Sequence, residues 1–252
     1  MRIDLNADVG ESLGPWPMGD DAALIPLVTS VNIACGFHAG DPRTIERTVA
    51  IAVAASVAIG AHPGYPDLVG FGRRDMAMAP DDLEAAILYQ VGAVAAFARA
   101  AGSELRHVKA HGALYNRAAR DPVAAEAIVR ATRRVSTALV VVGPEPSALA
   151  DAAAVTGSPW ACEGFPDRAY EPDGTLRSRL LPDAMVLAPA AAAERALRMV
   201  REGIVVAVDG TEIEMEPDTL CLHGDAPGAP ARAAALRRAL AEAGIEVRAL
   251  GD

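Results

Sequence analysis

Short runs rich in β-branched residues alternate with alanine-rich stretches along the whole chain, and this alternation restricts the fold more than any other feature. The runs are "RIDLNADV", "SVNIAC", "SVAIGAH", "RHVKAHG", "ALVVVG", "WACEGF", "GIVVAV", "TLCLHG" and "IEVRAL". Several are nearly all apolar, as strands buried on both faces are. Between them, "DPRTIERTVAIAVAAS", "PDDLEAAILYQVGAVAAFARAAG", "DPVAAEAIVRATRRV" and "PARAAALRRALAEAG" carry arginine and glutamate at helical spacing. The prolines of "DP" and "PDD" mark helix starts, and Gly102 and Gly244 mark helix ends. Repeated strand–helix units imply a parallel sheet with right-handed crossovers. About seven or eight units in 252 residues fit one closed or nearly closed (β/α) barrel, with an open doubly wound sheet as the alternative. "GIVVAVDGTEIEMEPDTL" departs from the pattern. Its Asp-Gly between two short strands predicts a β-hairpin insertion near 204–216. No composition break and no internal repeat divides the chain, so residues 1–252 are expected to form a single barrel domain.

Composition narrows the function. A net charge of -10 argues against a nucleic-acid partner and against an anionic membrane surface. "MRIDLNADVGES" reaches charged residues at once, unlike a signal peptide, and no apolar run approaches the roughly 18 to 20 residues needed to span a bilayer. Cys35, Cys162 and Cys221 are odd in number and lack C-x-x-C spacing, which predicts reduced thiols and a cytoplasmic location. Cys35 and Cys221 are expected to pack as small apolar residues.

Polar residues gather where strands give way to loops. Asn6, Asp8 and Glu11 follow one another in "IDLNADVGES"; Asn32 and His38 lie in "NIACGFHAGD", and His62 in "IGAHPGYPD". "VKAHGALYN" holds Lys109, His111, Tyr115 and Asn116; "EGFPDRAYEPDG" holds Glu163, Asp167 and Arg168; "CLHGD" holds His223 and Asp225. In a parallel barrel all strand C-termini open on one face, so these groups converge. Any one histidine at a strand end is more often a satisfied structural group than a catalyst, but four of the five histidines occupy such positions. Gly70, Gly72, Arg73 and Arg74 in "VGFGRRD" offer either an anion site or a plain exposed loop. "PDRAYEPDGTLRSRLLPD" is long for a barrel connection and has the length of a lid.

Lys109 is the only lysine; the other 22 of the 23 basic side chains are arginine. It lies inside an apolar run, two residues from His111 on the same strand face. An ammonium beside an imidazole can hold a substrate carboxylate or phosphate while the imidazole moves a proton. The spacing predicts that the ammonium faces the mouth, near His111 and an acid of "DLNAD".

"DLNADVGES", "NIACGFHAGDP", "IGAHPGYPDLVGFGRR", "VKAHGALYN", "DRAY..DG.L..R" and "CLHGD.P" resemble, in order and over essentially the whole chain, the family of 5-oxoprolinase A subunits, also called the LamB/YcsF family. Ala110, Gly164, Pro166 and Ala226 depart from its pattern. The resemblance implies a seven-stranded (β/α) barrel similar to glycoside hydrolase/deacetylase barrels. It implies ATP-dependent opening of the lactam 5-oxo-L-proline to L-glutamate, with partner subunits B and C. The chain has no G-x-x-x-x-G-K-[ST], so ATP as co-substrate is expected mainly on the partners or at an interface. Within that implied chemistry Asp8 or His38 is the base, Lys109 and Arg168 hold anionic groups, and His111 or His62 protonates the departing nitrogen. Asn6, Glu11, Asn32, Tyr115, Asn116, Asp167, Arg168, His223 and Asp225 are the substrate-binding candidates.

Three other functions are compatible with these residues. One is a metal-dependent deacetylase or amidohydrolase using Asp8, His38 and His62, a ligand set that leaves a position open, although the H-x-x-x-H pair is absent. Another is a non-catalytic component that only presents a small acid to its partners. The third, a carbohydrate hydrolase, rests on fold analogy alone.

Overall fold

The structure, a computed structural model, describes residues 1–251. Its strands in chain order are β1 (Arg2–Val9), β2 (Ser30–Ala34), β3 (Ala58–His62), β4 (Leu105–Lys109), β5 (Val140–Gly143), β6 (Trp160–Gly164), the hairpin pair β7 (Ile204–Val206) and β8 (Glu212–Glu214), β9 (Thr219–His223) and β10 (Glu246–Val247). Strands β1 to β6 pair in parallel in sequence order, β6 pairs with β9, and β9 pairs with β1. The sheet is therefore a closed seven-stranded barrel, as expected. The short β10 adds beside Arg2 and Ile3. The hairpin lies where Asp-Gly predicts it, with Val205 opposite Ile213 and Gly210 at φ +92° in the turn.

Helices α1 (Asp21–Leu24), α2 (Pro42–Ala54), α3 (Pro80–Ala100), α4 (Gly112–Ala118), α5 (Pro122–Val135), α6 (Ala148–Thr156), α7 (Pro189–Glu202) and α8 (Ala229–Glu242) surround it. Local chemistry sets their starts. Asp41 accepts from the N–H groups of Arg43 and Thr44 ahead of α2, and Asp121 accepts from Val123 ahead of α5, each followed by a proline in the first turn. Helix α3 corrects one expectation. It is long and apolar enough, by length and composition, to cross a membrane. Its alanines raise the hydropathy, but Leu83, Ile87, Val91, Val94 and Ala98 are buried in the core, and Gln90 clasps the Gly64 backbone at 2.9 Å.

Alternation along each strand separates core from lumen. Ile3, Leu5, Ala7 and Val9 of β1 join the apolar core, where burying a Leu or Ile side chain contributes about 1.5–3 kcal/mol. Asp4, Asn6 and Asp8 alternate with them and are buried inside the barrel. The register sets Asp4 opposite Thr219, Asn6 opposite Cys221 and Asp8 opposite His223. A barrel interior is usually packed with branched apolar residues. Here it is largely polar.

Candidate active site

A hydrogen-bonded column fills the lumen. At its base Asp4 accepts from Ser30 Oγ at 2.7 Å and Thr29 Oγ1 at 2.8 Å, and also from Thr219. One level up, Asn6 Nδ2 donates to Thr219 Oγ1 at 2.7 Å and to Glu163 Oε1 at 3.1 Å. Asn32 Nδ2 donates to Asn6 Oδ1 at 2.7 Å and to Asp8 Oδ1 at 2.8 Å. His107 Nε2 donates to Asn32 Oδ1 at 2.7 Å, crossing a gap that exists because residue 60 is glycine; a Cβ there would overlap the ring.

Lys109 crowns the column. Its Nζ lies 2.9 Å from Asp8 Oδ1, 2.8 Å from Glu163 Oε1 and 2.8 Å from Cys221 Sγ, with the Phe165 ring centroid at 5.3 Å. Burial alone would favour a neutral amine, but Asp8 and Glu163 outweigh it and push the lysine pKa well above its ordinary value. Burial likewise opposes ionisation of Asp8, and His62 and Lys109 overcome it, holding the carboxyl well below its usual range. Lysine and aspartate are thus a buried ion pair.

Four histidines ring Asp8. His62 Nδ1 donates to Lys109 O at 2.8 Å and turns Nε2 toward Asp8 Oδ2 at 3.3 Å. His111 Nε2 donates to Phe71 O at 2.8 Å, and its Nδ1 lies 3.0 Å from His62 Nε2. His223 Nδ1 donates to Asp167 at 3.1 Å, which leaves Nε2 4.0 Å from Asp8 Oδ2. His38 stacks on His111 with ring centroids 3.8 Å apart and planes 6° from parallel. Both its nitrogens are buried without a partner among the described residues. Burial is the main cause that pushes the pKa of His38 and of His111 well below the ordinary value. Glycines make room for this pair: a Cβ on Gly64 would come within 2.7 Å of His38 Nδ1, and one on Gly72 within 2.8 Å of the His111 ring.

The rim is charged. Glu11 is buried with Oε1 3.8 Å from His111 Nδ1; burial, with Asp225 and Asp8 nearby, pushes its carboxyl well above the usual range. Arg73 reaches Asp225 at 2.5 Å and Arg179 reaches it at 3.5 Å. Arg168, pushed down to about 10 by burial and by Arg179, is turned into its own loop, where it donates to Arg177 O at 2.6 Å and Ala184 O at 3.3 Å. Arg177 joins Glu171 and Asp183 in the same loop. The long connection is therefore cross-tied over the mouth.

The structure brings Asn6, Asp8, Glu11, Asn32, His38, His62, Lys109, His111, Tyr115, Asp167, His223 and Asp225 to the lumen or its rim. It separates Asn116, which is exposed and lines a groove with Arg73, Arg117 and Arg120. Tyr115 and Asn116 are consecutive on α4, and neighbours on a helix point about 100° apart, so only Tyr115 turns inward. Lys109 faces the mouth side as its spacing implies, but its ammonium donates to Asp8 and Cys221 and pairs with Glu163 at 2.8 Å, so its contacts are made inside the lumen. Cys221 lies in the lumen beside the ammonium, and burial pushes its thiol well up, so it is a neutral partner. Asp4, Ser30, His107 and Thr219 belong to the network without having been site candidates, and Glu163, one of the strand-end polar groups, joins it deep in the lumen. The period-two series Asp4, Asn6, Asp8 and the pair His107, Lys109 carry the signal for the inward face.

The class of protein so defined is a closed seven-stranded (β/α) barrel whose C-terminal mouth gathers buried carboxylates, imidazoles and one ammonium. The chain belongs to the LamB/YcsF family, whose sequence profile matches residues 3–252. It is 57% identical over 249 residues to the 5-oxoprolinase A subunit of Methylococcus capsulatus, covering 99% of this chain and 96% of that one. It is 55% identical over 248 residues to the 5-oxoprolinase A subunit of Chloroflexus aggregans, covering 98% of each. Among solved structures, the lactam utilization protein from Thermus thermophilus superposes with a TM-score of 0.93 at 49% identity, covering 99% of this chain and all of that one.

Proposed function

We propose that this chain is the A subunit of a 5-oxoprolinase that opens the lactam of 5-oxo-L-proline to L-glutamate with ATP hydrolysis, together with subunits B and C. The observation that carries this reading is the ionised Asp8, held at the mouth between Lys109 and His62, on a chain whose relatives along nearly its full length bear that name. A γ-lactam is a resonance-stabilised amide, and coupling its opening to ATP gives the carbonyl a better leaving path. Transfer of a phosphoryl group to the lactam oxygen releases ADP. Water then adds to the ring carbonyl carbon, the C–N bond breaks, and the nitrogen takes a proton. A second water releases phosphate.

In this scheme Asp8 or His38 accepts the proton of the attacking water. His62 or His111 returns one to the departing nitrogen. Lys109 keeps Asp8 ionised and does not touch the substrate. Arg73 and Arg179 at the rim supply the anion contacts. The nucleotide is held mainly by the partner subunits or at their interface, since the chain lacks a phosphate loop. Trp16, Val69 and Leu180 stand exposed on loops that follow β1, β3 and β6, on the same mouth, and suit a partner surface. Three buried free cysteines suit the cytoplasm.

The test is reconstitution with the presumed B and C subunits, following glutamate and ADP together. The complex is expected to form both, the isolated chain neither, and Asp8→Asn in the complex is expected to lower glutamate formation by roughly 10²–10⁴-fold. Glutamate from the isolated chain would refute the division of labour. A normal rate with Asp8→Asn would reduce this chain to a carrier.

A further inference from the structure

Beside the mouth lies a groove of about 350 Å³ to which the proposed reaction gives no role. It runs between the loop after β3 and helix α4 with the turn that follows it, two segments joined where the Ala113 N–H donates to Gly72 O at 2.9 Å. Arg73, Asn116, Arg117 and Arg120 line it, with Asp75 and Asp121 among them. Asn116, which α4 turns away from the lumen, is thus a wall of this groove instead. The donors here exceed their partners. Arg117 Nε donates to Asp121 at 2.8 Å, but its Nη1 lies 3.4 Å from Asp75, an exposed carboxylate whose attraction water screens. Arg120 is exposed, and its side chain holds no ion pair or hydrogen bond among the described residues. Arg73 reaches out of the groove to Asp225 on the rim, so one guanidinium belongs to both groove and mouth. Tyr65 is 1% exposed, and its hydroxyl, beside Arg117, Asp75 and Asp121, meets no acceptor among the described residues. A buried hydroxyl left in that state costs about 1–3 kcal/mol, which an acceptor entering the groove would relieve.

The missing component is an anion, and the donor set selects its class. Guanidinia arriving from separate segments meet a tetrahedral oxyanion well, because its oxygens point in several directions. A carboxylate presents two oxygens on one side and is matched by a single guanidinium. None of the lining residues is aromatic, so nothing there stacks a nucleobase. The mouth itself is a poor place for a phosphoryl group, because Asp8, Glu11 and Asp225 gather there and Lys109 is committed to Asp8 and Glu163. Like charges would repel the phosphoryl oxygens from that wall toward the arginines next to it. We propose that the groove of Arg73, Asn116, Arg117 and Arg120, with Tyr65 at its wall, binds a phosphate-class oxyanion, and that its occupant in turnover is the phosphoryl group carried by the activated lactam and then released as phosphate. The shared Arg73 joins this site to the mouth where the ring is opened.

The identity of the occupant rests on the lactam reading; the anion site does not, and it is tested on the isolated chain. Calorimetric titration with inorganic phosphate is expected to show saturable binding that sodium chloride at matched ionic strength does not reproduce. Arg117→Gln, Arg120→Gln and Tyr65→Phe are each expected to weaken it about three- to tenfold, and Arg238→Gln, exposed on α8, to leave it unchanged. Arg120 has no side-chain partner to lose, so its variant keeps the fold, which far-UV circular dichroism checks for all four. Wild-type protein that takes up no phosphate, or uptake that Arg117→Gln and Arg120→Gln both leave intact, overturns the site. ADP is the second probe. Affinity for ADP no higher than for phosphate supports the phosphoryl group as occupant. ADP bound about tenfold tighter or more, and weakened by the same variants, gives the groove to the nucleotide and overturns that identity. Because the readout is phosphate uptake by this chain alone, its failure leaves the lactam reading untouched, and a reconstituted complex that ignores 5-oxoproline leaves the anion site untouched.

Discussion

Replacing Lys109 by methionine keeps most of the stem and removes the only cation that touches both Asp8 and Glu163. Both carboxylates are buried, and the lysine itself is 2% exposed, so water cannot replace the lost charge. Removing one partner of a buried ion pair costs about 3–5 kcal/mol, because the remaining charge stays desolvated. At roughly 2–4 °C per kcal/mol for a chain of this size, the melting temperature should fall by roughly 6–20 °C. The deficit depends on pH in a definite direction. The Asp8 pKa in the folded wild type lies well below 3.8, so its contribution to stability is complete above that value and is lost as pH falls through the folded pKa. The methionine variant lacks that contribution, so the gap to wild type is widest near neutral pH and narrows in acid. Urea unfolding of both proteins near pH 7 and below about pH 3 measures the gap. The triple variant Asp8→Asn/Lys109→Met/Glu163→Gln leaves no buried charge in the trio and should recover much of the loss. A methionine variant within about 1 kcal/mol of wild type at neutral pH, or a triple variant no better than the single, would refute the ion-pair argument.

Gly60→Ala places a Cβ in the His107 ring and should break the bond to Asn32, costing about 1–3 kcal/mol by overpacking, measured by urea unfolding. His107 has its pKa lowered to about 3, mainly by burial, so the unfolded chain binds a proton below 6.5 that the folded chain refuses. Wild-type stability should therefore fall as pH drops from 6.5 toward 3, and His107→Gln should flatten that slope by up to about 1.4 kcal/mol per pH unit. Tyr170→Phe removes the acceptor of the Phe165 N–H at 2.8 Å and should cost about 1–3 kcal/mol, seen as a lower melting temperature.

Much of the fold was legible because strand and helix have different periods and the two kinds of segment alternate. "DPRTIERTVAIAVAAS" became α2 behind its Asp41 cap, and the hairpin followed from Asp-Gly. The candidate site was legible at the rim, where glycine-flanked polar residues end each strand. Its depth was not. The strands looked like apolar runs buried on both faces, and a few polar residues in each read as part of the loops that follow. In a closed barrel one of the two buried faces is the lumen, and Asp4, Asn6 and Asp8 occupy every second position of that face. Glu163 and Thr219 come together only through the β6–β9 register, which no local pattern announces. Cys221 resembled a packing residue because its partner, Lys109, lies 112 positions away. His38 owes its place to Gly64 and Gly72, two loop glycines distant in sequence that leave room for an imidazole.

The solitary lysine now has a geometric reason. Three acceptors converge within 2.8–2.9 Å of one point in the lumen, and an ammonium has three protons at one atom to meet them. A guanidinium spreads its donors over a plane and matches paired oxygens on one side, so it does not reproduce three contacts to a single atom. Many of the 22 arginines instead pair with carboxylates at the rim and surface or with backbone carbonyls, as with Arg73 on Asp225 and Arg232 on Pro227 O. In the lumen the geometry demands a point charge. That charge fixes the ionisation of Asp8, and Asp8 in turn faces the histidines that carry the chemistry. The one departure from the arginine habit therefore stands directly behind the group the mouth depends on.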